Sequence, residues 1–305
     1  MTMGYQYSFK DVLSRAERIT WRVEDIIGGD KKLDFSKPFM PETFARCEPL
    51  DFLSSKEKLQ LNQIRGHTYL CFFGLVEEFI LPFVLDHARP MINGDDYQAR
   101  AFLEFAAEEA KHIHLFRTFE NEFVKGCGLE CQVIGPPQEI AKHVLSHPPL
   151  SVALLTLMIE WMSQRHFTES IQDNAEMDPL FKSLLLHHWQ EEHQHAQLDA
   201  IMVEQIAANL SPAEIDAGIE GYLALGAFLD GGLKQQAMFD MAALEKATGR
   251  QFNETQRAQF MDIQHQANRW TYIGSGMSHP KFLETLQQQS PERRTMIEKA
   301  APTFS

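Results

Sequence analysis

Cysteine is scarce in this sequence. The 305 residues include four cysteines, too few for the disulfide framework of a small secreted domain. Two of them flank a Gly-Leu-Glu segment, but their spacing is that of neither a thioredoxin motif nor a zinc ribbon. We therefore expect free thiols at all four positions, which are Cys47, Cys71, Cys127 and Cys131.

Basic residues are also few. The chain has 28 Lys and Arg against 42 Asp and Glu, which gives a formal net charge of −14. Its basic residues are not gathered into a stripe, whereas proteins that bind the phosphate backbone present one. The composition therefore argues against a nucleic-acid partner.

Long apolar runs and linkers are missing as well. A membrane-spanning helix needs about 18 or more consecutive apolar residues, and no uncharged run of that length occurs. Residues 1–30 carry charges throughout, unlike a signal peptide. No low-complexity or Gly/Ser/Pro-rich segment divides the chain, and 44 % of its residues are hydrophobic. We expect one cytoplasmic domain with a large core and no membrane partner.

Strand signals are nearly absent, and the segment 131–134 is the single short candidate. Helical periodicity with start and stop signals instead predicts four long helices. A capping box of Ser54 and Glu57 opens the first helix, and prolines or acidic caps open the other three. The predicted ranges are about 54–88 with a kink at Pro82, 95–125 with Gly126 as the stop, 151–172, and 178–209.

Further helices are expected on both sides: one before Ile27, one from Ser211, and two at about 253–273 and 290–300. The predicted fold class is therefore all-α. Helices of roughly 20 to 35 residues are about 30 to 50 Å long, which suits a four-helix bundle with a site at mid-height. We expect residues 1–305 to form one domain, with the bundle at about 54–210 and accessory helices at about 211–300.

Two Glu-x-x-His pairs occur in predicted helices, Glu109 with His112 and Glu192 with His195. Positions i and i+3 share one face of a helix, so each pair aims a carboxylate and an imidazole at one point. A single pair is common by chance. Here there are two pairs, and in each case the preceding helix has a carboxylate in an apolar stretch. This is the ligand pattern of a carboxylate metal site inside a helical bundle.

The other two helices must then each supply a carboxylate. Glu160 is the only charged residue in a long apolar run of the third helix, and a lone Glu is costly to bury unless it is paired or bound to metal. In the first helix a mostly apolar stretch ends at Glu77 and Glu78. Spacing alone does not decide whether Glu77 or Glu78 is the ligand.

His188 adds a third ligand-type side chain to the fourth helix. It shares a face with Glu192 and His195, four and seven residues further on. We interpret His188 as an additional ligand. The neighbouring His187 and His193 lie off this face and are expected at the surface or in support of the ligands.

Other residues near these motifs have an ordinary interpretation beside a functional one. Asp199 is either an acceptor that orients an imidazole or a solvated carboxylate. His114 and His166 are expected to be ordinary packed or exposed histidines. The 22 phenylalanines mostly predict core packing, although an apolar wall near metals would also exclude water and admit an aromatic or aliphatic substrate.

The ligand set suits a pair of iron ions. Two divalent irons bring a charge of +4, which four carboxylates cancel while imidazoles add uncharged donors. Carboxylates can also shift between bridging and terminal modes when the metals are oxidised. We expect two iron ions that bind oxygen and split or transfer it, with manganese as the alternative metal.

At this point the chain resembles the ferritin-like di-iron carboxylate proteins. The triplet of His188, Glu192 and His195 narrows the resemblance, over about residues 49–209, to the p-aminobenzoate N-oxygenase (AurF-like) family. In that family the first-helix ligand lies shortly before a proline, which favours Glu77 over Glu78. Carried over by position, the resemblance implies seven metal ligands: Glu77, Glu109, His112, Glu160, His188, Glu192 and His195.

The resemblance implies a non-haem di-iron oxygenase, a monooxygenase that transfers an oxygen atom from O2 to a small organic substrate, most directly by N-oxygenation of an amine. No catalytic residue beyond the metal ligands is expected. Electrons would come from an external reductase or ferredoxin, because the chain has no Gly-x-Gly-x-x-Gly motif and no four-cysteine cluster. A homodimer is the default expectation for such an enzyme.

Other functions fit the same residues. A C-hydroxylase would use the same ligands on a different substrate. A ferritin-like ferroxidase would turn over iron alone, although the long segment after the bundle favours a covered, substrate-selective site. A radical-generating relative of the ribonucleotide reductase small subunit would place a tyrosine near the metals, for which Tyr69 is the candidate. A binding protein with a vestigial site would hold no metal.

Overall fold

The computed structural model describes residues 7–304. In chain order its α-helices are α1 (Phe9–Ala16), α2 (Val23–Ile26), α3 (Glu42–Ala45), α4 (Ser55–Ala88), α5 (Asp96–Cys127), α6 (Pro137–Leu145), α7 (Pro149–His166), α8 (Pro179–Ala207), α9 (Pro212–Thr248), α10 (Glu254–Arg269), α11 (Ser275–Met277), α12 (Pro280–Gln289) and α13 (Pro291–Ala300). The shorter turns are 3-10 helices at Arg89–Met91 and Ala301–Phe304 and π-helices at Phe167–Ile171 and Trp270–Gly274. Within residues 7–304 a single β-bridge, between Gly28 and Lys31, is the only strand-type pairing. The predicted all-α class is confirmed.

The long helices begin where their capping residues predict. Ser54 and Glu57 exchange hydrogen bonds at the start of α4, and the carboxylates of Asp95 and Asp178 accept backbone N–H groups at the starts of α5 and α8. Helix α7 starts with Pro149, since a proline at the first position lacks only an N–H that the helix would leave unbonded. The residues at the start of each bundle helix therefore determine where that helix begins.

Two helix ends differ from the predictions. Helix α5 continues past Gly126 to Cys127 and is capped by Gly128, whose φ of 64° is the left-handed conformation that glycine adopts at helix ends. Gly126 is glycine for a different reason: the ring of Phe35 occupies the space that a side chain would need. The predicted third helix is α-helical only to His166 and then continues as the π-helix Phe167–Ile171.

The segment 131–134 forms no strand. Instead, the N–H of Ile134 donates to Oε1 of Gln236 on α9 at 3.0 Å, and Nε2 of Gln236 donates to the carbonyl of Gln132 at 3.1 Å. One amide side chain thus satisfies the backbone groups that a strand partner would have bonded. The sequence also gives no clear signal for the short helices α3, α6 and α12.

The bundle is formed by α4, α5, α7 and α8, and α9 covers α4 and α7. Helix α10 packs on α9, while α1 lies across α5 and α8. Phe102, Phe105 and Phe116 are fully buried along the predicted stripe of α5. Because Glu109 and His112 share that stripe, the packing of the aromatic rings carries polar groups into a dry interior.

One segment of the described chain, Ser55–Met91, is long and apolar enough to cross a membrane by length and composition alone. It contains α4, and 56 % of its most apolar window is buried inside the molecule. A core helix of a helical bundle meets the same criteria, so this segment is weak evidence for a membrane span.

Candidate metal centre

The seven predicted ligands meet in one buried cluster at mid-bundle. Their side chains come from four helices, one each from α4 and α7, two from α5 and three from α8. None is more than 4 % exposed. The members are Glu77, Glu109, His112, Glu160, His188, Glu192 and His195.

Glu192 is at the centre of this cluster. Its Oε1 lies 2.8 Å from Nε2 of His188 and 3.1 Å from Nδ1 of His112. Its Oε2 lies 3.3 Å from Nδ1 of His195. Because its two oxygens face different imidazoles, this carboxylate could be shared by two metal ions if both were bound.

The remaining carboxylates surround the same point. Oε1 of Glu77 lies 3.1 Å from Nε2 of His188, and Oε1 of Glu109 lies 3.0 Å from Nδ1 of His195. Glu160 shares a hydrogen bond with Glu192. Each of the four bundle helices therefore delivers a carboxylate to the centre.

Two overlapping groups have donor atoms within 4.8 Å of one another. Both contain His112 and Glu192. An imidazole nitrogen offers one lone pair, whereas a carboxylate can use both oxygens; we therefore interpret Glu192 as the shared group. One group adds Glu77 and His188, and the other adds Glu109 and His195.

Seven buried atoms of this cluster make no well-aligned hydrogen bond, although several of them lie close to another atom of the cluster. A buried polar atom without a partner costs about 1–3 kcal/mol, and native interiors contain few. Such atoms also occur elsewhere in residues 7–304, but seven of them lie together in this cluster, and all seven could offer a lone pair to a metal. They are Oε2 of Glu77, both oxygens of Glu109, Nδ1 of His112, Oε2 of Glu160, Oε1 of Glu192 and Nδ1 of His195. This donor set fits a pair of cations.

Glu78 is placed differently from its neighbour Glu77. Its carboxylate faces outward and accepts from the Arg117 guanidinium at 2.6 Å. An exposed ion pair of this kind fully accounts for Glu78. The side chain that enters the cluster is Glu77, the residue favoured by the family resemblance.

Two outer carboxylates, Glu108 and Glu191, hold the histidines of the opposite motif. Oε2 of Glu108 accepts from Nε2 of His195 at 2.8 Å, and Oε2 of Glu191 accepts from Nε2 of His112 at 2.8 Å. These bonds fix the tautomer that leaves each Nδ1 free towards the centre, as outer partners of metal-bound histidines do.

The sequence interpretation overlooked these outer carboxylates because both lie one residue off the ligand stripe. The available signal was the doubled acid, since each motif reads Glu-Glu-x-x-His. Asp199 was one candidate for the group that orients an imidazole. For His195 the hydrogen bonds assign that role to Glu108, which accepts from Nε2 of the ring. Asp199 is buried with no hydrogen-bond partner for either oxygen.

The other histidines occupy the expected places. His193 and His114 are exposed and His187 is half-buried. His166 is fully buried, 1 % exposed, as a packed histidine.

Comparison with known proteins bears on the fold. No protein-family model matches the sequence, and no curated protein matches it. Among solved structures, an R2-like ligand-binding oxidase with an aerobically reconstituted Mn/Fe cofactor is 15 % identical, with 88 % of this chain and 94 % of that chain covered and a TM-score of 0.50. A point mutant of an R2-like ligand-binding oxidase with an Fe/Fe cofactor has the same identity and coverage and a TM-score of 0.49.

The chain has the fold of the R2-like oxidases. At this identity the likeness concerns the helical architecture, and it confirms the predicted ferritin-like bundle with additional helices.

Within this R2-like bundle, burial and neighbouring charges pull the pKa values of the carboxyl groups apart. Burial, reinforced by nearby carboxylates, raises the pKa of Glu77 and of Glu160 well above the usual range. Burial also acts on Glu192, but His188 and His195 outweigh it and hold its pKa well below the usual range. Glu192 is thus the most readily ionised carboxyl group of the cluster.

We expect metal binding to release protons. Burial alone would lower the pKa of His112, but hydrogen bonds to Glu191 and Glu192 raise it to about 9. His112 therefore holds a proton at neutral pH in the metal-free protein, the raised pKa values of Glu77 and Glu160 also favour their protonated forms, and a metal must displace such protons. Affinity for Mn²⁺ should rise as the pH increases towards 9. Anaerobic titration calorimetry in buffers of different ionisation enthalpy measures the release; affinity independent of pH would contradict it.

We expect loss of an outer carboxylate to weaken metal binding. Glu108→Gln keeps the side-chain volume but removes the charge opposite His195, and loss of such a partner typically costs about 10–100-fold in affinity. Glu104→Gln, one turn earlier on α5 and partly exposed, removes the same charge without that contact. Competition with a fluorescent chelator gives both affinities, and equal values would show that Glu108 does not support the site.

Proposed function

We propose that this protein is a di-metal oxidase that uses O2 to oxygenate a small organic substrate, and that the reaction is N-oxygenation of an amine. The cluster of unpartnered carboxylate and imidazole atoms in the bundle core carries the proposal. No other cluster in residues 7–304 combines so many buried donors. Fold and site therefore point to the same class of chemistry.

Two irons are the proposed cofactor, with manganese as an alternative for one of them. Glu77 and His188 would hold one metal, Glu109 and His195 the other, and Glu192 both. The structural neighbours carry Fe/Fe or Mn/Fe cofactors, which supports this choice. When bound, such a pair supplies the redox chemistry by which O2 is reduced and an oxygen atom becomes available to a substrate.

The protein groups orient and enclose this centre. The ring of Phe105 stacks on His195, with centroids 4.0 Å apart. Trp21 lies parallel to His112 on the other side, and the ammonium of Lys111 sits 4.0 Å from the centroid of the Trp21 ring. Rings on both imidazoles keep water away and hold the ligand planes fixed.

An apolar cavity next to the cluster is the proposed substrate site. Its volume is about 650 Å³, within the range of small-molecule sites. Val76 and Ile159 in its wall directly adjoin Glu77 and Glu160 in the chain, and Phe73 in the same wall contacts the His188 ring at 5.2 Å. Glu139 and His143 of α6 add polar groups. We propose that a mainly apolar substrate binds here, on the other side of the Phe73 ring from His188.

This cavity favours an oxygenase over a ferroxidase, because iron turnover needs no apolar chamber. The choice of an amine over a carbon centre rests on the resemblance to p-aminobenzoate N-oxygenase. An external electron donor, a homodimer and a cytoplasmic location remain parts of the proposal.

The test is turnover of aromatic and aliphatic amines by the iron-loaded protein with a chemical reductant under ¹⁸O2. N-oxygenation predicts a product that gains ¹⁸O on nitrogen. Label on carbon would show a C-hydroxylase instead. Oxygen consumption with iron oxidation and no labelled organic product would favour the ferroxidase.

We expect filling of the cavity to impair substrate oxygenation selectively. Val76→Phe adds a ring to the cavity wall, and even one methylene in an apolar pocket changes transition-state binding by about 1–3 kcal/mol, so we expect kcat/KM to fall by roughly 10–200-fold. Val124→Phe, at a half-buried position of α5 outside the cavity lining, is the control. Iron content should remain that of the parent. Unchanged kcat/KM in Val76→Phe would place the substrate elsewhere.

A further inference from the structure

A second group of ligand-type side chains lies between α4 and α5, away from the metal centre. His67 and Cys71 are one turn apart on α4, so they share a face of that helix. Glu120 comes from α5, which packs against α4. One donor atom from each of the three side chains lies within 4.8 Å of the other two. A nitrogen, a sulfur and an oxygen donor thus meet at one point.

The spacing of these donors suits a small divalent cation. Sγ of Cys71 lies 3.6 Å from Nε2 of His67 and 3.8 Å from Nδ1 of the same ring. Tetrahedral zinc has Zn–S bonds of about 2.3 Å and Zn–N bonds of about 2.0–2.1 Å, which hold the sulfur and the nitrogen roughly 3.5 Å apart. The backbone of α4 therefore already keeps these two side chains at the separation that one zinc ion requires.

The imidazole of His67 has little else to bind. Its side chain is 2 % exposed, and the Cys71 thiol is the one hydrogen-bond partner of its ring within residues 7–304. The ring otherwise packs on Phe123, with centroids 4.7 Å apart. Burial lowers the pKa of His67 to about 4, so the ring is neutral and one nitrogen keeps a lone pair. Because a thiol is a weak hydrogen-bond donor, a cation would compensate this burial better.

Glu120 adds a negative charge that no cationic side chain balances. Arg117, one turn earlier on α5, pairs with Glu78 instead, and Glu120 forms no ion pair within the described residues. Cysteine binds metals as the thiolate. The Cys71 thiolate and the Glu120 carboxylate would together cancel the charge of a divalent ion, while His67 adds an uncharged donor. Thiolate, imidazole and carboxylate are the three ligand types that zinc uses in proteins.

A surface groove gives an ion access to this point. The groove has a volume of about 440 Å³, and Cys71 and Glu120 are in its wall. Zinc sites with three protein ligands keep a fourth position for water or another small molecule. The groove provides space for such a ligand beside the sulfur and the carboxylate.

Cys47 shows how a cysteine with a packing role differs from Cys71. It is 2 % exposed, and its thiol donates to the carbonyl of Ala45 at 3.6 Å. No ligand cluster in residues 7–304 contains Cys47, Cys127 or Cys131. Within this part of the chain, Cys71 is thus the one cysteine that combines partial exposure with an imidazole and a carboxylate beside its sulfur.

We propose that His67, Cys71 and Glu120 bind one divalent cation of the zinc type, with water from the groove as the fourth ligand. This site is separate from the proposed iron pair. Cys71 precedes Glu77 by six residues, about 9 Å along the axis of α4, and the two sites share no residue. Their metal preferences also differ, because a thiolate favours zinc over the harder ions that carboxylates bind. The inference is therefore independent of the reaction at the iron pair.

The experiment titrates Co²⁺ into the full-length, metal-free protein in the absence of oxygen and records absorption spectra. A thiolate bound to Co²⁺ gives an intense charge-transfer absorption in the near ultraviolet. The ligands of the iron pair contain no sulfur and cannot produce it. We expect this absorption in the parent protein, with saturation at one thiolate-bound Co²⁺ per chain, and we expect an excess of Zn²⁺ to remove it.

Two matched pairs of variants assign the ligands. Cys71→Ser should abolish the absorption, whereas Cys127→Ser, at another half-buried cysteine, should retain it. Glu120→Gln should weaken Co²⁺ binding at this site by at least about 10-fold, the lower end for loss of a group that only supports a ligand. Glu122→Gln, also half-buried on α5, should keep the affinity of the parent. Circular dichroism checks that each variant is folded.

Absence of the charge-transfer absorption from the parent would overturn the inference, and so would its persistence in Cys71→Ser or its loss in a folded Cys127→Ser. Equal Co²⁺ affinity in Glu120→Gln and Glu122→Gln would also overturn it, and this comparison decides the question if Cys71→Ser does not fold. Iron content and O2 uptake are measured separately. Failure of this inference would therefore leave the proposed function intact.

Discussion

Glu192→Gln is expected to abolish the paired metal centre. The substitution preserves side-chain volume but removes the charge that lies within 3.3 Å of three imidazoles, and an amide is a poor bridge between two cations. Loss of an outer partner already costs up to about 100-fold in metal affinity, so loss of the bridge should cost more. We expect metal content to fall to one ion or fewer and O2 uptake to fall to background, as measured by elemental analysis and an oxygen electrode.

Glu245→Gln is the matched control for this change. Glu245 is also a buried, charge-paired carboxylate of a long helix, held by the guanidinium of Arg257 at 2.7 Å, but it lies outside the metal cluster. The Glu245→Gln variant should lose some stability but keep the metal content of the parent. If Glu192→Gln kept the parent's metal content and O2 uptake, Glu192 would not be a bridging ligand.

Glu77→Gln and Glu78→Gln are expected to behave in opposite ways although they change adjacent residues. Glu77 is 2 % exposed and faces His188 and His112, whereas Glu78 pairs with Arg117 on the outside of α4. The first variant should lose at least one metal and most of its O2 uptake. The second removes a surface ion pair worth about 0–1 kcal/mol and should match the parent in both assays.

These two variants test how α4 is rotated about its axis as well as which residue is the ligand. If Glu78→Gln lost metal and Glu77→Gln did not, α4 would be rotated by about 100°, one residue of an α-helix, relative to the centre. Equal loss in both variants would indicate a general effect on the helix. Circular dichroism and thermal unfolding distinguish that case from loss of a ligand.

Much of the fold could be predicted from local signals. The capping box at Ser54 and the acidic caps at Asp95 and Asp178 act on the first turn of their own helices, so sequence alone places those helix starts. Gly126 misled the prediction because its role is tertiary: it makes room for Phe35, which lies far away in sequence. No local pattern in the sequence predicts the π-helix that follows His166.

Among the site residues, too, those with a local signal could be predicted and those that depend on tertiary contacts could not. Periodicity places Glu109 and His112 on one face, because the helix repeat alone decides it. The outer carboxylates Glu108 and Glu191 become visible only when two helices are brought together, since each binds a histidine of the opposite motif. The choice between Glu77 and Glu78 also depends on how α4 is rotated in the bundle, which spacing does not determine.

The most direct test of the central claim is the metal content of the purified protein combined with its reaction with O2. We expect about two irons per chain after anaerobic loading, as in bundle carboxylate sites, and rapid O2 consumption once the irons are reduced. A protein that stays metal-free under these conditions, or that binds a single metal and ignores O2, would show that the cluster is not a di-metal oxidase centre.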